Sequence, residues 1–179
     1  MKDFMERPIH SAQAFAGGFI RVNRDEVELP NGKRAVREYL LRPGASIIVP
    51  VHEDGRVVMV RQYRHAIGVH VIEFPAGKID PGETGEQAAR RELVEETGYE
   101  GASWERLYRI HPSVASSNET NEIFLAQGLK QVGRREQPDE FIEVIEVPMA
   151  RALEWVRCGE ITDIKAVLCL LHLAGKEGM

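Results

Sequence analysis

The chain has 179 residues, 43% hydrophobic and 28% charged, an ordinary folded-domain composition that argues against disorder and suits one well-buried domain, or a domain with a small subdomain. Its formal net charge of −5 argues against a large nucleic-acid surface, since neutralising a phosphate backbone needs clustered Lys and Arg. A local basic pocket for one small polyanion stays open.

The opening residues MKDFMERPIHSAQAF contain early acids and no apolar stretch, unlike a signal peptide. The longest apolar run, Ala166 to Ala174, is broken by His172 and is too short to span a bilayer. The expectation is a cytoplasmic protein with no membrane association. Cys158 and Cys169 lie in apolar, helix-like sequence without a CxxC or Cys/His pattern, which points to reduced core residues rather than zinc ligands.

In chain order, the first fifteen or so residues read as a loose arm. From Gly18 to about Arg42 the pattern is β-like. Glu26-Val27-Glu28-Leu29 alternates, Pro30-Asn31-Gly32 is a turn, and Ala35 to Leu41 returns as the second arm of a hairpin. Arg42-Pro43-Gly44 marks a subdomain boundary, giving an N-terminal arm and β subdomain over 1–43 and a main domain over 44–179. Ser46 to Val51 and Arg56 to Arg64 read as strands around the turn Glu53-Asp54-Gly55, and Val71 to Phe74 as a short strand ended by Pro75. Thr84 is placed as the N-cap of a helix, Gln87 as its capping-box partner, and Gly98 as the left-handed residue that ends it. Leu107 to Ile110, Glu122 to Ala126 and Phe141 to Val147 read as strands. Two helices follow, about Met149 to Cys158 and about Thr162 to Ala174, the second capped by Thr162. Strands mixed with a few helices imply an α+β layered domain.

The chemistry points to the first helix. Glu92, Glu95 and Glu96 fall at i, i+3 and i+4 and share one face. Like charges so spaced destabilise a bare helix by roughly 0.2–0.5 kcal/mol per pair. A hard divalent cation offsets that repulsion, because Mg²⁺ favours carboxylate oxygens and completes its shell with water or phosphate. A solvated acidic face is an equal reading of the triplet alone. Arg91, four residues before Glu95, and the turn-rich loop Gly77-Lys78-Ile79-Asp80-Pro81-Gly82-Glu83 shift the balance towards a built site.

Gly77-x5-Glu83-x7-Arg91-Glu92-Leu93-x-Glu95-Glu96-x-Gly98-Tyr99 resembles the Nudix box, G-x5-E-x7-R-E-U-x-E-E-x-G-U with U apolar. All nine specified positions match, with Tyr99 as the bulky final U. The resemblance implies an α/β/α sandwich with a mixed sheet carrying a loop–helix–loop, preceded here by the small antiparallel β subdomain. It implies Mg²⁺-dependent (or Mn²⁺-dependent) hydrolysis of a nucleoside diphosphate linked to another group. Glu92 and Glu96 are then the principal metal ligands, with Glu95 close by and the Ala76 carbonyl a further ligand; Glu83 and Arg91 brace loop and helix beside the reacting groups.

The flanks resemble the ADP-ribose and nucleoside diphosphate sugar pyrophosphatases of that family. These flanks are Val60-Arg61-Gln62-Tyr63-Arg64, Glu73-Phe74-Pro75-Ala76-Gly77 and Gln137-Pro138-Asp139-Glu140-Phe141. The likeness implies Glu140 as base or metal-assisting carboxylate, with Asp139 as the alternative. Arg61 and Arg64 are candidate phosphate contacts, but alternation puts Arg61 and Tyr63 on one face and Arg64 on the other, so one of the two arginines enters the site. Glu73 is a candidate acceptor for a base amino group, or a strand-edge charge. The N-terminal β region corresponds to a dimerising subdomain, with Arg37 and Arg21 as contributors to the substrate site. One signature is missing: His111-Pro112-Ser113-Val114-Ala115-Ser116-Ser117-Asn118-Glu119 stands where ADP-ribose pyrophosphatases carry Ser-Pro-Gly. His111 reads as structural, and Glu119 and Glu122 as surface charge, with contact to substrate or metals as the alternative. Dinucleoside polyphosphates, NADH or capped RNA ends are therefore alternative substrates, and a non-catalytic nucleotide-sugar sensor is an alternative of another class.

Overall fold

A computed structural model describes residues 3–135 and 141–177. The chain divides into two units, Met1–Pro43 with His111–Thr120, and Gly44–Ile110 with Asn121–Met179.

In the first unit, strands β1 (Arg7–Ala16), β2 (Arg21–Glu28) and β3 (Arg34–Leu41) form an antiparallel sheet in that order. The Asn31-Gly32 turn joins β2 and β3. The Gly32 amide donates to the Leu29 carbonyl at 2.9 Å, and Gly32 sits at φ 78°, a conformation glycine adopts without strain. The expected loose arm is corrected: Arg7 to Ala16 pairs with β2 from Arg7↔Glu28 to Ala16↔Arg21. Every residue of β1 is exposed, so no buried face imposes an apolar alternation; backbone pairing, joined by the Ser11 bonds to Asp25 and Asn23 of β2, makes the strand. The loop His111–Thr120 belongs to this unit. The Leu40 amide donates to the Ser116 carbonyl at 2.8 Å, and the Arg42 amide to Asn118 Oδ1 at 2.8 Å.

The second unit holds β4 (Ala45–Pro50), β5 (Arg56–Arg64), β6 (Val69–Glu73), β7 (Ala76–Lys78), α1 (Gly85–Thr97), β8 (Tyr99–Ile110), β9 (Asn121–Gln131), β10 (Ile142–Pro148), α2 (Met149–Cys158) and α3 (Ile164–Glu177). Its strands form a mixed sheet, β7-β4-β9-β8, in which β4 and β9 are parallel, and an antiparallel sheet, β10-β5-β6. Helix α1 packs on both. Ala89 and Leu93 meet Ile48, Phe124 and Ala126 from the first sheet and Val58 from the second. Burying a side chain such as Leu93 contributes roughly 1.5–3 kcal/mol. A larger core joins Ile47, Val49, Met59, Ile72 and Ile123 to Leu153, Leu170 and Leu173 of α2 and α3.

This is the α+β layered arrangement expected from the sequence, with an N-terminal three-stranded sheet. Further details of the second unit differ from the sequence reading. Strand β7 lies inside the stretch read as loop, held to β4 by Ala45↔Lys78, Ser46↔Gly77 and Ile47↔Ala76. Strand β8 begins at Tyr99 rather than Leu107; its exposed or half-buried residues and the register shift between Arg106 and Tyr108 hide the alternation. Helix α3 is capped by Asp163 rather than Thr162: Asp163 Oδ2 accepts from the Ala166 amide at 2.9 Å, the N-cap-to-N3 bond. Among the described residues no helix is long and apolar enough to cross a membrane.

Candidate active site

The site is built on α1. Thr84 and Gln87 form a reciprocal capping box, with Gln87 N–H to Thr84 Oγ1 at 3.2 Å and Thr84 N–H to Gln87 Oε1 at 2.8 Å; such a cap contributes about 1 kcal/mol. Gly98 ends the helix at φ 77°, where a Cβ would also fall 2.8 Å from the Arg134 amide nitrogen.

One row of residues seats the helix on the mixed sheet. Ser46 of β4 is in register with Gly77 of β7 and Glu122 of β9. Ser46 Oγ donates to the Gly85 carbonyl in the first turn of α1 at 2.7 Å. A Cβ on Gly85 would come within 2.6 Å of Glu122 Oε2. A Cβ on Gly77 would fall 1.9 Å from Glu92 Cδ. The absence of a side chain at Gly77 is what lets the Glu92 carboxylate lie against the strand.

Arg91 is the hub. Nη1 donates to Glu92 Oε1 at 2.6 Å and Glu95 Oε2 at 3.1 Å; Nε and Nη2 grip the two Glu83 oxygens at 3.1 and 3.0 Å; Nη2 also reaches the Lys78 carbonyl at 3.0 Å. The two-pronged bond to Glu83 is the strong arginine–carboxylate geometry. That bond is the largest cause of a raised Arg91 pKa, outweighing burial with the help of Glu92, and it holds the Glu83 carboxyl below the usual carboxylate range. The loop is thereby bolted to the helix.

Glu92 and Glu96 are 7% and 4% exposed. Burying two carboxylates on one helix face is costly unless each is paired. Glu96 Oε2 accepts from the Ala76 amide at 3.1 Å, so Ala76, Glu92, Glu95, Glu96 and Arg91 are brought together. Among the described residues no three acidic, imidazole or thiol side chains form a ready-made metal cage. Mg²⁺ does not require one, since it binds through one or two carboxylates plus substrate phosphates. The donor set fits such an ion: it is all oxygen, anionic, and seated over a glycine a side chain would fill.

The flanking strands separate the two arginines. Gln62 and Arg64 share the face of β5 that carries Val58 and packs on α1. Both reach Glu73, in register across β6 from Val60. Arg64 Nε lies 3.1 and 3.3 Å from the two Glu73 oxygens, and Gln62 Nε2 donates to Glu73 Oε2 at 3.3 Å. Burial lowers the Arg64 pKa, but the Glu73 bond and charge and the field of Glu96 outweigh it, and the net shift is upward. Glu73, at the end of the edge strand β6, is 6% exposed and paired with Arg64. Arg61 lies on the opposite face, paired at 3.2 Å with Glu143, its register partner on β10. Arg37 lies on β3 of the N-terminal unit and is paired with Glu6, which raises its pKa. Glu140 and Asp139 lie outside the described residues.

Sequence reasoning missed Ser46, Gln62 and the Gly77 contact with Glu92. Gln62 was within reach, since it alternates with Arg64. Ser46 and Glu122 depend on the parallel β4–β9 register, for which no local pattern exists.

A family model described as NUDIX domain matches residues 40–168, and one described as nucleoside diphosphate sugar hydrolase N-terminal domain matches residues 6–40. The chain is 36% identical over 181 residues to a protein named ADP-ribose pyrophosphatase from Bacillus subtilis (strain 168), covering 100% of this chain and 98% of that one. It is 35% identical over 162 residues to a GDP-mannose pyrophosphatase from Cronobacter sakazakii (strain ATCC BAA-894), covering 85% and 83%. The crystal structure of an ADP compounds hydrolase superposes with a TM-score of 0.87 at 23% identity, covering 99% of both chains, and shares the fold.

Proposed function

Because the chain belongs to the NUDIX family, whose domain spans residues 40–168, we propose that it hydrolyses the pyrophosphate bond of ADP-ribose or a related nucleoside diphosphate sugar, releasing a nucleoside monophosphate and a sugar phosphate. The observation that carries this reading is the acidic face of α1, with Glu92 against Gly77, Glu96 on the Ala76 amide, and Arg91 joining Glu83, Glu92 and Glu95.

Glu92 and Glu96, with Glu95 and the Ala76 carbonyl, would hold Mg²⁺, or Mn²⁺ in its place. The bound ion supplies neutralisation of the diphosphate and activation of water. Arg91 keeps the Glu83, Glu92 and Glu95 carboxylates in place and presents a fixed positive charge beside them. Arg64, aligned by Glu73 on the α1 side of β5, contacts a substrate phosphate through its planar fork. Arg61, on the other face, is the weaker candidate for that contact. Glu140, or Asp139 beside it, takes the proton from the attacking water. The bond to water forms at one phosphorus, the bridging phosphate oxygen leaves, and the two products separate.

Release of both products from ADP-ribose, ADP-glucose and GDP-mannose, measured with Mg²⁺, with Mn²⁺ and with chelator, tests the proposal. Turnover of at least one sugar nucleotide, lost on chelation, is expected; no turnover of any would end it. The loop His111 to Glu119, which lacks Ser-Pro-Gly, makes diadenosine polyphosphates and NADH the comparators for a shifted specificity.

Residues 1–43 are proposed as a dimerising subdomain and 44–179 as the hydrolase domain. Support comes from Ile9, Phe15 and Val36, which are large apolar side chains left exposed on the N-terminal sheet. Arg37 would then serve the partner's site. Light scattering should report twice the 20.2 kDa chain mass; a monomer at assay concentration contradicts the dimer. A cytoplasmic location belongs to the same proposal, supported by two free cysteines, Cys169 in the core as expected and Cys158 exposed rather than in the core.

A further inference from the structure

The residue that closes the motif, Tyr99, carries a hydroxyl where the pattern asks only for apolar bulk. Its ring packs with Ile48, Leu93 and Phe124, and its hydroxyl donates to Glu146 Oε1 at 2.5 Å. Tyr99 opens β8 of the mixed sheet, one residue after the Gly98 cap; Glu146 lies on β10 of the antiparallel sheet. The bond therefore spans the two sheets on which α1 packs, at the helix end nearest Glu95 and Glu96.

The acceptor is itself held. Arg56 bonds the second Glu146 oxygen and is steadied by Asp54 at 2.8 Å. His52 Nε2 lies 3.3 Å from that oxygen, and the His52 ring stands edge-on to Tyr99 at 5.3 Å. The Tyr99 bond is the largest cause of a depressed Glu146 pKa, reinforced against burial by His52 and Arg56, and the same bond raises the Tyr99 hydroxyl. Both groups are thus in the forms the bond needs at neutral pH. A second tether, the Val132 amide to the Gly98 carbonyl at 2.8 Å, holds the same turn.

We propose that Tyr99 and Glu146 are a positioning pair for the reaction. Their bond sets the C-terminal turn of α1, and with it Glu95 and Glu96, against the sheet that presents Arg64 and Glu73. The inference rests on the reading of Glu95 and Glu96 as metal ligands. An ordinary polar tie would stabilise the protein without touching kcat, and the test separates the two.

Tyr99→Phe, Glu146→Leu, the double variant and Glu146→Gln, which keeps an acceptor oxygen, are compared with Ile161→Val, a core truncation in the cluster under α2 and α3. The readouts are kcat and KM for ADP-ribose, the thermal midpoint, and the rise in that midpoint on adding Mg²⁺ alone. Loss of one hydrogen bond to a charged group predicts about a tenfold fall in kcat for each single variant with KM unchanged. The double variant should be no worse than either single, Glu146→Gln should recover most of the rate, and the Mg²⁺-induced rise should shrink in Tyr99→Phe but not in Ile161→Val. Singles with wild-type kcat, or losses that multiply in the double, overturn the pair. If the wild-type protein turns over no sugar nucleotide, the functional reading has failed. The Mg²⁺-induced rise then decides alone: reduced in Tyr99→Phe it supports the pair, unchanged it ends it.

Discussion

Glu96→Gln is expected to lower kcat by about 1,000-fold, on the order of 4 kcal/mol of transition-state stabilisation, while the protein stays folded. Glu96 is 4% exposed and accepts the Ala76 amide through Oε2 at 3.1 Å. Glutamine has the same shape and keeps a carbonyl oxygen for that amide, so the seat of α1 survives. What it loses is the anionic oxygen a hard cation requires. The thermal midpoint should therefore stay put or rise, since one buried charge has been removed. Steady-state kinetics against Mg²⁺ concentration, beside a thermal melt, check both halves. An active, folded Glu96→Gln protein would overturn the metal assignment.

Gly77→Ala is expected to damage rate and stability together. The added Cβ would lie 1.9 Å from Glu92 Cδ and Oε1 and 2.4 Å from Oε2, so the carboxylate has to leave its place against β7. Overpacking of this kind costs typically about 1–3 kcal/mol. Displacing Glu92 should lower kcat by at least about 100-fold, as removal of one fixed electrostatic contact does elsewhere. Gly175→Ala is the control. Nothing lies within 4 Å of a Cβ there, and the position is inside α3. It should leave the rate alone and stabilise by up to roughly 1 kcal/mol. Comparable rates for the two alanine variants would show that the Gly77 contact does not matter to the site.

Much of the site was legible because its signals are local. The i, i+3, i+4 spacing of Glu92, Glu95 and Glu96, the Thr84–Gln87 box and the Gly98 stop are all written within one helix, and the structure places them as read. Alternation along β5 separated Arg61 from Arg64, but which of the two faced the helix required Val58 to be seen against Ala89 and Leu93. Strand β1 was illegible because it buries nothing. Helix α3 was capped one residue later than expected because Thr162 and Asp163 are both good caps, and only the Ala166 amide distinguishes them. The Ser46, Gly77 and Glu122 row was out of reach, because a parallel pairing between strands more than seventy residues apart in sequence leaves no periodic trace. The tie between Tyr99 and Glu146 is non-local for the same reason.

The most direct test of the central claim is to identify the products of ADP-ribose by phosphorus NMR. With Mg²⁺ the wild-type protein should convert the diphosphate resonances into two phosphomonoester signals of equal intensity, those of AMP and ribose 5-phosphate. Persistent diphosphate signals from bound substrate over hours, or ADP and free ribose from cleavage elsewhere, would contradict it.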